Sequence, residues 1–433
     1  MNPLAKRLLD QGLATNQRVA QAAGNGFDWL FRRNNLVKSG HTWFELVYDG
    51  DPMAVRYYGL PDEDEIELAD GSTMPIRREQ FKRPLVLVPP LGVTTETFDL
   101  LPHRSLVKYM AACGFKTYLI DWGKPKKKHA HLGLEDYAET MMGEALAEIR
   151  RHSGCKEISL MGWCMGGLIS LLYMGLTKDP QVKNLVTVAS PIDLRGGGLA
   201  TGVAQALNVP AQMIRRYTDF RLHVLDPSVL SAPPWLTTLA FKLTDPLSSV
   251  TSYWDLITRL WDREFVESHT TTSDYLNNML LYPGGVVQDM AVKVAVDNKL
   301  ATGEIEIGSK LAELNKIQCS LLVFAGETDS LVPPSIAERI MDVVASSDKA
   351  FYVSPGGHMG VTLGSRAQQA VWAQAADWLQ ARDSGRKPRK SAAGKSRVAN
   401  TSANSPGKPP SGKAKVAPAK KQRARKVKNI KST

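Results

Sequence analysis

Residues 158–167 read I-S-L-M-G-W-C-M-G-G, and the rest of the chain can be interpreted outward from this stretch. The apolar run 158–161 is typical of the end of a buried strand, and the apolar stretch 168–176 is typical of a helix. A tight turn between strand and helix lifts one side chain above a sheet, and glycines beside it permit the strained backbone that the turn requires. The pattern predicts a nucleophile elbow with Cys164 at its tip.

Cysteine occupies the position where this motif usually carries serine. A thiolate is a strong nucleophile once a base takes its proton, and its attack on a thioester yields another thioester, so little acyl-transfer energy is lost. Cys164 therefore suits an enzyme that passes an acyl group to a hydroxyl rather than to water. The alternative interpretation is a small buried cysteine on a glycine-rich turn, without a chemical role.

A repeating strand–helix pattern surrounds the elbow. Besides the elbow strand, the sequence predicts strands at 85–88, 116–120, 184–189, 319–325 and 350–353, and helices at 104–113 and 134–152. Strands that alternate with helices indicate a mostly parallel sheet covered on both faces. Together with the elbow, this predicts the α/β class and an α/β-hydrolase fold with an inserted cap.

Segments on either side of this pattern divide the chain. We predict an N-terminal helical and extended region at 1–83 and a core in two pieces, 84–194 and 306–383. A cap at 195–305 lies between the two pieces, and a disordered basic tail follows at 384–433. Leucines at helical spacing predict that residues 1–45 are helical. This helix would either pack on the core or dock a partner. Gly71 is expected in a hairpin turn. Most aromatic residues of the cap should pack within it, and a minority should line an acyl tunnel.

The net charge of +11 belongs to the tail rather than to the body. Residues 384–433 contain 16 of the 54 Lys and Arg and no Asp or Glu, so the rest has 38 basic and 43 acidic residues. The tail is either a solvated tether or a segment that contacts nucleic acid non-specifically.

Four cysteines without a CxxC pair predict neither a disulfide framework nor a zinc site. No secretory signal or membrane span is recognisable, which favours a cytoplasmic location.

A cysteine nucleophile needs a base, and the base needs a carboxylate to orient it. In this fold the acid and then the histidine follow the nucleophile along the chain. Asp329 lies after a predicted strand and is preferred over Glu327, because its apolar neighbours would bury it; a turn-forming Asp is the alternative. His358 is the only one of eight histidines that follows the acid. We predict the group Cys164, Asp329 and His358.

Two backbone N–H groups should stabilise the oxyanion of the tetrahedral intermediate. By analogy with the fold, these belong to Met165, the residue after the nucleophile, and to Leu91 or its neighbour, after the first core strand. His269, in the predicted cap, is a candidate for lining a pocket. No metal site is expected, and side chains that bind the substrate are not identifiable.

These motifs resemble the polyhydroxyalkanoate synthases of the α/β-hydrolase superfamily. The resemblance rests on G-W-C-M-G-G at 162–167, Y-L-I-D-W-G at 118–123, the segment 326–334 and P-G-G-H-M-G at 355–360, and it extends from about residue 83 to residue 381. The spacing within the cap, which ends in Y-P-G-G, is similar to that of the short synthases that work with a second subunit.

The resemblance implies that Cys164 is the acylated nucleophile, with His358 as base and Asp329 as its partner. It implies (R)-3-hydroxyacyl-CoA substrates, no cofactor beyond the CoA of the substrate, and a polyester product in cytoplasmic granules. Partners would be the granule surface and a second synthase subunit or another copy of the chain.

Three functions stay open at this point: a polymerising acyltransferase, a thioesterase or polyester depolymerase with a cysteine nucleophile, and a non-catalytic adaptor of granules or the nucleoid that acts through its tail. The acyltransferase is preferred. Cysteine in place of serine argues against the hydrolase, and the complete set of three candidate residues argues against the adaptor.

Overall fold

A central sheet of eight strands organises the computed structural model, which describes residues 3–193, 197, 202, 225–243 and 246–383. In chain order the strands are β1 (Glu45–Asp49), β2 (Ala54–Tyr58), β3 (Leu85–Val88), β4 (Thr117–Asp121), β5 (Ile158–Trp163), β6 (Val182–Val188), β7 (Ser320–Gly326) and β8 (Lys349–Ser354).

In space the strands follow the order β1-β2-β4-β3-β5-β6-β7-β8. Strand β2 runs antiparallel to both of its neighbours, and every other pair in the sheet is parallel. The elbow strand β5 lies between β3 and β6, near the middle of the sheet. The carboxyl ends of the parallel strands therefore meet at one edge, where the loops that carry candidate catalytic residues emerge.

The central strands are apolar throughout because both faces of the sheet are covered. All residues of β3 and β5 are buried. In β3, Val86 and Val88 belong to one hydrophobic cluster, whereas Leu85 and Leu87 belong to a second cluster on the other face. The alternation follows the two-residue period of a strand. The two clusters are the two halves of the core, one on each side of the sheet.

Helices connect the strands and build the cap. In chain order they are α1 (Pro3–Phe31), α2 (Leu106–Ala112), α3 (Met142–Ser153), α4 (Met165–Thr177), α5 (Pro227–Leu230), α6 (Pro234–Leu243), α7 (Pro246–Thr258), α8 (Arg263–Asn277), α9 (Gly284–Asp289), α10 (Pro334–Glu338), α11 (Ile340–Val343), α12 (Gly360–Leu363) and α13 (Ala373–Asp383). None of the helices among the described residues has the length and apolar character needed to cross a membrane.

The predicted core strands and the α/β-hydrolase fold are confirmed, with shifts of one or two residues at strand ends. The predicted hairpin is also present: strands Glu65–Glu67 and Thr73–Pro75 pair antiparallel around Gly71, whose φ is +80°. The predicted helix 134–152 begins instead with a π-helical turn over Asp136–Met141 and continues as α3.

The region 1–83 contributes more to the core than its sequence indicates. Strands β1 and β2 extend the central sheet, and β2 pairs with β4. Strand β1 has only three apolar residues in a row, 46–48, and none of its five residues is fully buried, unlike the central strands. Helix α1 ends at Phe31, and its last turns contact the cap rather than the sheet, through a hydrogen bond from Asn25 Nδ2 to the carbonyl oxygen of Leu260 (2.7 Å).

The described part of the cap consists of α5 to α9. It is attached to the core by hydrogen bonds from Leu280 N to the Gly92 carbonyl oxygen (2.8 Å) and from Tyr275 Oη to Thr97 Oγ1 (2.8 Å). Most of 194–224 and all of the predicted disordered tail, 384–433, lie outside the described residues.

Candidate active site

Cys164 stands at the turn between β5, which ends at Trp163, and α4, which begins at Met165. Its backbone has φ 51° and ψ −118°, a strained combination for a residue with a side chain. The turn is fastened to the sheet by a hydrogen bond from Cys164 N to the carbonyl oxygen of Val188 (2.8 Å). This is the backbone geometry of a nucleophile elbow.

The glycines beside the turn are required by close backbone contacts. A Cβ on Gly166 would overlap the carbonyl oxygen of Val88, at the end of β3, and would lie 2.7 Å from that of Pro89. A Cβ on Gly162 would collide with the backbone of Gly166. Helix α4 can therefore start immediately above the sheet only because both positions lack a side chain.

Replacing Gly166 by Ala should destabilise the protein by about 3 kcal/mol, because backbone atoms must move to admit the methyl group. Chemical denaturation measures this change. Gly143→Ala is the matched control: it lies in α3, and a Cβ there would meet nothing within 4 Å. It should stabilise by up to about 1 kcal/mol, since alanine loses less backbone entropy in a helix. Equal effects of the two substitutions would contradict the packing argument.

Asp329 lies in the loop after β7, and its side chain is fully buried. Its Oδ1 accepts hydrogen bonds from the backbone N–H groups of Leu331 (2.9 Å) and Val332 (2.8 Å), and its Oδ2 faces the imidazole of His358. Glu327, the alternative acid, is exposed. The backbone donors fix the orientation of the Asp329 carboxylate.

His358 lies in the loop after β8, with its side chain 1% exposed. Its Nδ1 is 2.8 Å from Asp329 Oδ2, and the ring of Trp163 packs against it with 5.7 Å between centroids. The other nitrogen, Nε2, is buried and has no hydrogen-bond partner within the described part of the chain. Hydrogen bonding to Asp329 orients the ring and leaves Nε2 available on the side of Cys164.

The environment of His358 changes the pKa of its imidazole. Burial by itself would lower this pKa, but the neighbouring Cys164 and the hydrogen bond to Asp329 outweigh burial and raise the pKa to about 10. The cause is the sulfur of Cys164 and the carboxylate of Asp329 on two sides of one ring. A raised pKa makes His358 a stronger base for the proton of a cysteine nucleophile.

Removing the sulfur should therefore lower the pKa of His358. In Cys164→Ala, the imidazole ¹⁵N resonances of His358 should titrate at lower pH than in the wild-type protein, which NMR measures directly. Because the folded pKa lies above that of a free histidine, the ring stabilises the wild-type fold fully below about pH 6.5 and loses this contribution as the pH rises toward about 10. Identical titration midpoints in the two proteins would exclude coupling between Cys164 and His358.

The two predicted oxyanion donors lie on elements that touch each other. Met165 is the first residue of α4, so its N–H points out of the helix N-terminus. Leu91 is buried in the loop after β3, and the preceding residues Val88 and Pro89 contact the start of α4 at Gly166. The fold thus brings the backbone of both predicted donors to the same end of the sheet as Cys164.

Two tyrosines were not identified from the sequence: Tyr282, close to the sulfur, and Tyr137, close to Tyr282. Burial, Cys164 and Tyr137 together raise the pKa of Tyr282, so its phenol stays protonated. The Tyr282 ring lies 2.9 Å from the position that a Cβ on Gly92 would occupy. Tyr137 is fully buried, and its hydroxyl has no partner among the described groups. Tyr282 is part of the Y-P-G-G motif, but nothing in that motif indicates contact with the elbow.

Comparison with known proteins supports this description. A model of the alpha/beta hydrolase fold family matches residues 94–364, more than half of the chain. The chain is 28% identical to the "Poly(3-hydroxyalkanoate) polymerase subunit PhaC" of Haloferax mediterranei over 80% of its length and 65% of that protein, and 28% identical to the subunit of the same name from Haloarcula marismortui, over 81% and 70%.

A third relative is the subunit of the same name from Allochromatium vinosum, which is 26% identical over 83% of this chain and 94% of its own length. The chain therefore spans just under two thirds of the first relative and nearly all of the third. The predicted resemblance is confirmed. The chain belongs to the alpha/beta hydrolase fold family and, within it, is similar to the poly(3-hydroxyalkanoate) polymerases.

Proposed function

We propose that this protein is a polyhydroxyalkanoate synthase, an acyltransferase that moves (R)-3-hydroxyacyl groups from CoA to a growing polyester through a thioester on Cys164. The observation that carries this proposal is a cysteine at the elbow beside an imidazole that is buried and hydrogen-bonded to Asp329. Similarity to the poly(3-hydroxyalkanoate) polymerases supports this substrate class.

In the acylation half-reaction, His358 Nε2 takes the proton of the Cys164 thiol, and the thiolate attacks the thioester carbonyl of the substrate. The N–H groups of Met165 and Leu91 hold the oxyanion of the tetrahedral intermediate. Its collapse breaks the bond between carbon and the CoA sulfur, and the leaving thiolate takes the proton from His358. The products are free CoA and an acyl group on Cys164.

In the transfer half-reaction, the hydroxyl of another hydroxyacyl unit is the nucleophile. His358 takes the hydroxyl proton while the oxygen attacks the thioester on Cys164, and the proton returns to the sulfur as the ester forms. Asp329 keeps Nδ1 protonated, so that Nε2 is the nitrogen that exchanges protons. Each cycle lengthens the polyester by one unit and leaves no net proton on the enzyme.

Exclusion of water distinguishes transfer from hydrolysis. Asp329 and His358 are almost completely inaccessible to solvent, and Tyr282 of the cap packs over the loop that contains Gly92. Cys164 itself is half-buried, so the elbow stays open to an incoming acyl group while the base and its carboxylate are shielded from water. Shielding of the base would favour a hydroxyl that is delivered along the polymer over bulk water.

The partners follow from the same proposal. The polyester surface of a granule would hold the enzyme near its product, and activity would depend on a second subunit or a second copy of the chain. Lysine and arginine in 384–433 would add electrostatic, salt-dependent contact with nucleic acid. Deleting 384–433 should change only location or salt-dependent association, and CoA release should be unchanged.

The decisive experiment measures CoA released by the purified chain from (R)-3-hydroxybutyryl-CoA and then the size of the product. Release of CoA with insoluble polymer is the expected result. Release of CoA with only free 3-hydroxybutyrate would identify a thioesterase instead. The assay is repeated with longer acyl chains and with a co-purified partner subunit, and absence of release in all three formats would contradict the proposal.

A further inference from the structure

A pocket of about 400 Å³ lies between the cap and the start of α2. Helices α6, α7 and α8 form its walls together with Arg104, which precedes α2. Cys164, Asp329 and His358 do not line it, so it is distinct from the candidate active site. His269, predicted from the sequence to line a pocket, lines this one.

Arg104 is the unusual group in this pocket. One of its terminal nitrogens, Nη2, donates a hydrogen bond to Ser268 Oγ, whereas its Nε is buried without a partner among the described residues. No described Asp or Glu forms an ion pair with it, and burial lowers the pKa of its guanidinium. A partly buried charge without a close counter-ion is unfavourable, so an anion bound beside Arg104 would stabilise the protein.

His269 supplies a second polar group that points to a ligand. Its Nδ1 is buried and unpartnered in the part of the chain that the structure describes. Burial and the nearby Arg33 lower the pKa of His269, so its ring is neutral at pH 7 and can donate one N–H. The rings of Tyr253 and Phe265 flank it, with centroids at 5.4 and 6.4 Å.

The charges around the pocket are mainly positive on the inner side. Lys242 lines the wall and donates from Nζ to Asn277 Oδ1 (2.8 Å), and Arg33 donates to Ser273 Oγ on α8 (3.0 Å). Two acids close to the pocket are exposed, Asp255 on the lining and Glu264 near Arg104, and the half-buried Glu267 pairs with Lys38 and Arg263. Water screens exposed carboxylates more than it screens the half-buried guanidinium of Arg104, so the field inside the pocket favours an anion.

We propose that this pocket binds a phosphate group through Arg104 Nε, the ring N–H of His269 and the hydroxyl of Ser268. Phosphate presents several acceptor oxygens and can accept from a guanidinium, an imidazole N–H and a hydroxyl at the same time. A volume of about 400 Å³ exceeds what an isolated phosphate needs, and the half-exposed ring of Tyr253 offers a face for a planar organic group. The ligand class is therefore a phosphate ester.

Two sources share this chemistry: the phosphates of an acyl-CoA substrate, an assignment that rests on the proposed function, and a separate phosphorylated metabolite that regulates the protein. The binding test uses inorganic phosphate as the probe and does not depend on catalysis. The melting temperature of the full chain is followed against phosphate concentration, with sodium chloride at matched ionic strength as the reference.

The melting temperature should rise with phosphate and saturate, beyond any effect of chloride. Arg104→Gln should raise the apparent dissociation constant at least about tenfold, because it removes a charge-assisted hydrogen bond. Without phosphate this variant should melt no lower than the wild-type protein. Lys242→Gln, on the wall, should weaken binding as well, and Arg339→Gln, an exposed arginine paired with Asp342, should not.

A phosphate response no larger than that of chloride, or an unchanged response in both Arg104→Gln and Lys242→Gln, would overturn the proposal.

Once phosphate binding is established, competition with CoA assigns the source of the bound phosphate group. If CoA displaces phosphate and Arg104→Gln raises KM for 3-hydroxybutyryl-CoA but not for the corresponding pantetheine thioester, the phosphate belongs to the substrate. If CoA does not compete, the site binds a separate anion. Failure of the wild-type protein to release CoA would contradict the proposed function and leave the phosphate test intact.

Discussion

Cys164→Ala should abolish CoA release from (R)-3-hydroxybutyryl-CoA, with a loss of at least about 1,000-fold, because no other group at the elbow can carry the acyl chain. Cys164→Ser should leave at most slow hydrolysis, since a serine hydroxyl is a much weaker acid than a thiol and forms an ester that gives up its acyl group less readily. Initial rates of CoA release measure both effects.

Intact-protein mass spectrometry provides an independent check. The wild-type protein should gain the mass of a hydroxyacyl group, and Cys164→Ala should not. Cys155→Ala is the matched control, because Cys155 is a free cysteine whose Sγ contacts the carbonyl oxygen of Lys82 (3.1 Å), away from the elbow. Acylation that persists in Cys164→Ala would assign the nucleophile to another residue.

Asp329→Asn should reduce kcat/KM by about 100- to 10,000-fold with little change in the fold. An amide has nearly the shape of the carboxylate and can still accept from Leu331 N or Val332 N. However, its NH₂ group would face His358 Nδ1 and select the wrong tautomer of the ring, and the negative charge that stabilises the imidazolium would be lost.

The control for this substitution is Glu327→Gln, which neutralises an exposed carboxylate two residues away. It should retain nearly full activity and unfold at the same denaturant concentration as the wild-type protein. Comparable losses in the two variants would indicate a general effect of charge in the 326–334 loop rather than a specific partner for His358.

Local patterns were sufficient to predict the elbow. A buried strand, a glycine-flanked turn and an apolar helix are adjacent in sequence, and the backbone strain at Cys164 follows from that adjacency. The preference for Asp329 over Glu327 also followed from local composition, since apolar neighbours accompany burial. The structure agrees in each case because these features depend on residues within a few positions of one another.

Other features could not be derived in this way. Strands β1 and β2 belong to the central sheet, although β1 lacks a buried apolar run. Their place depends on the antiparallel pairing of β2 with β4, about 60 residues later in the chain. A short, partly exposed strand can be recognised only once its pairing partner is known.

The sequence by itself determined the fold class, the order of the candidate nucleophile, acid and base, and the chemistry that a cysteine makes possible. Only the tertiary structure decided which side chains from distant parts of the sequence surround the candidate nucleophile. Tyr282 reaches the elbow from the cap, and Arg104 meets Ser268 across 164 positions of the chain. Periodicity and composition indicate whether a residue is buried, but they do not indicate which residues it contacts. Those contacts depend on the shape and charge of side chains that meet in three dimensions.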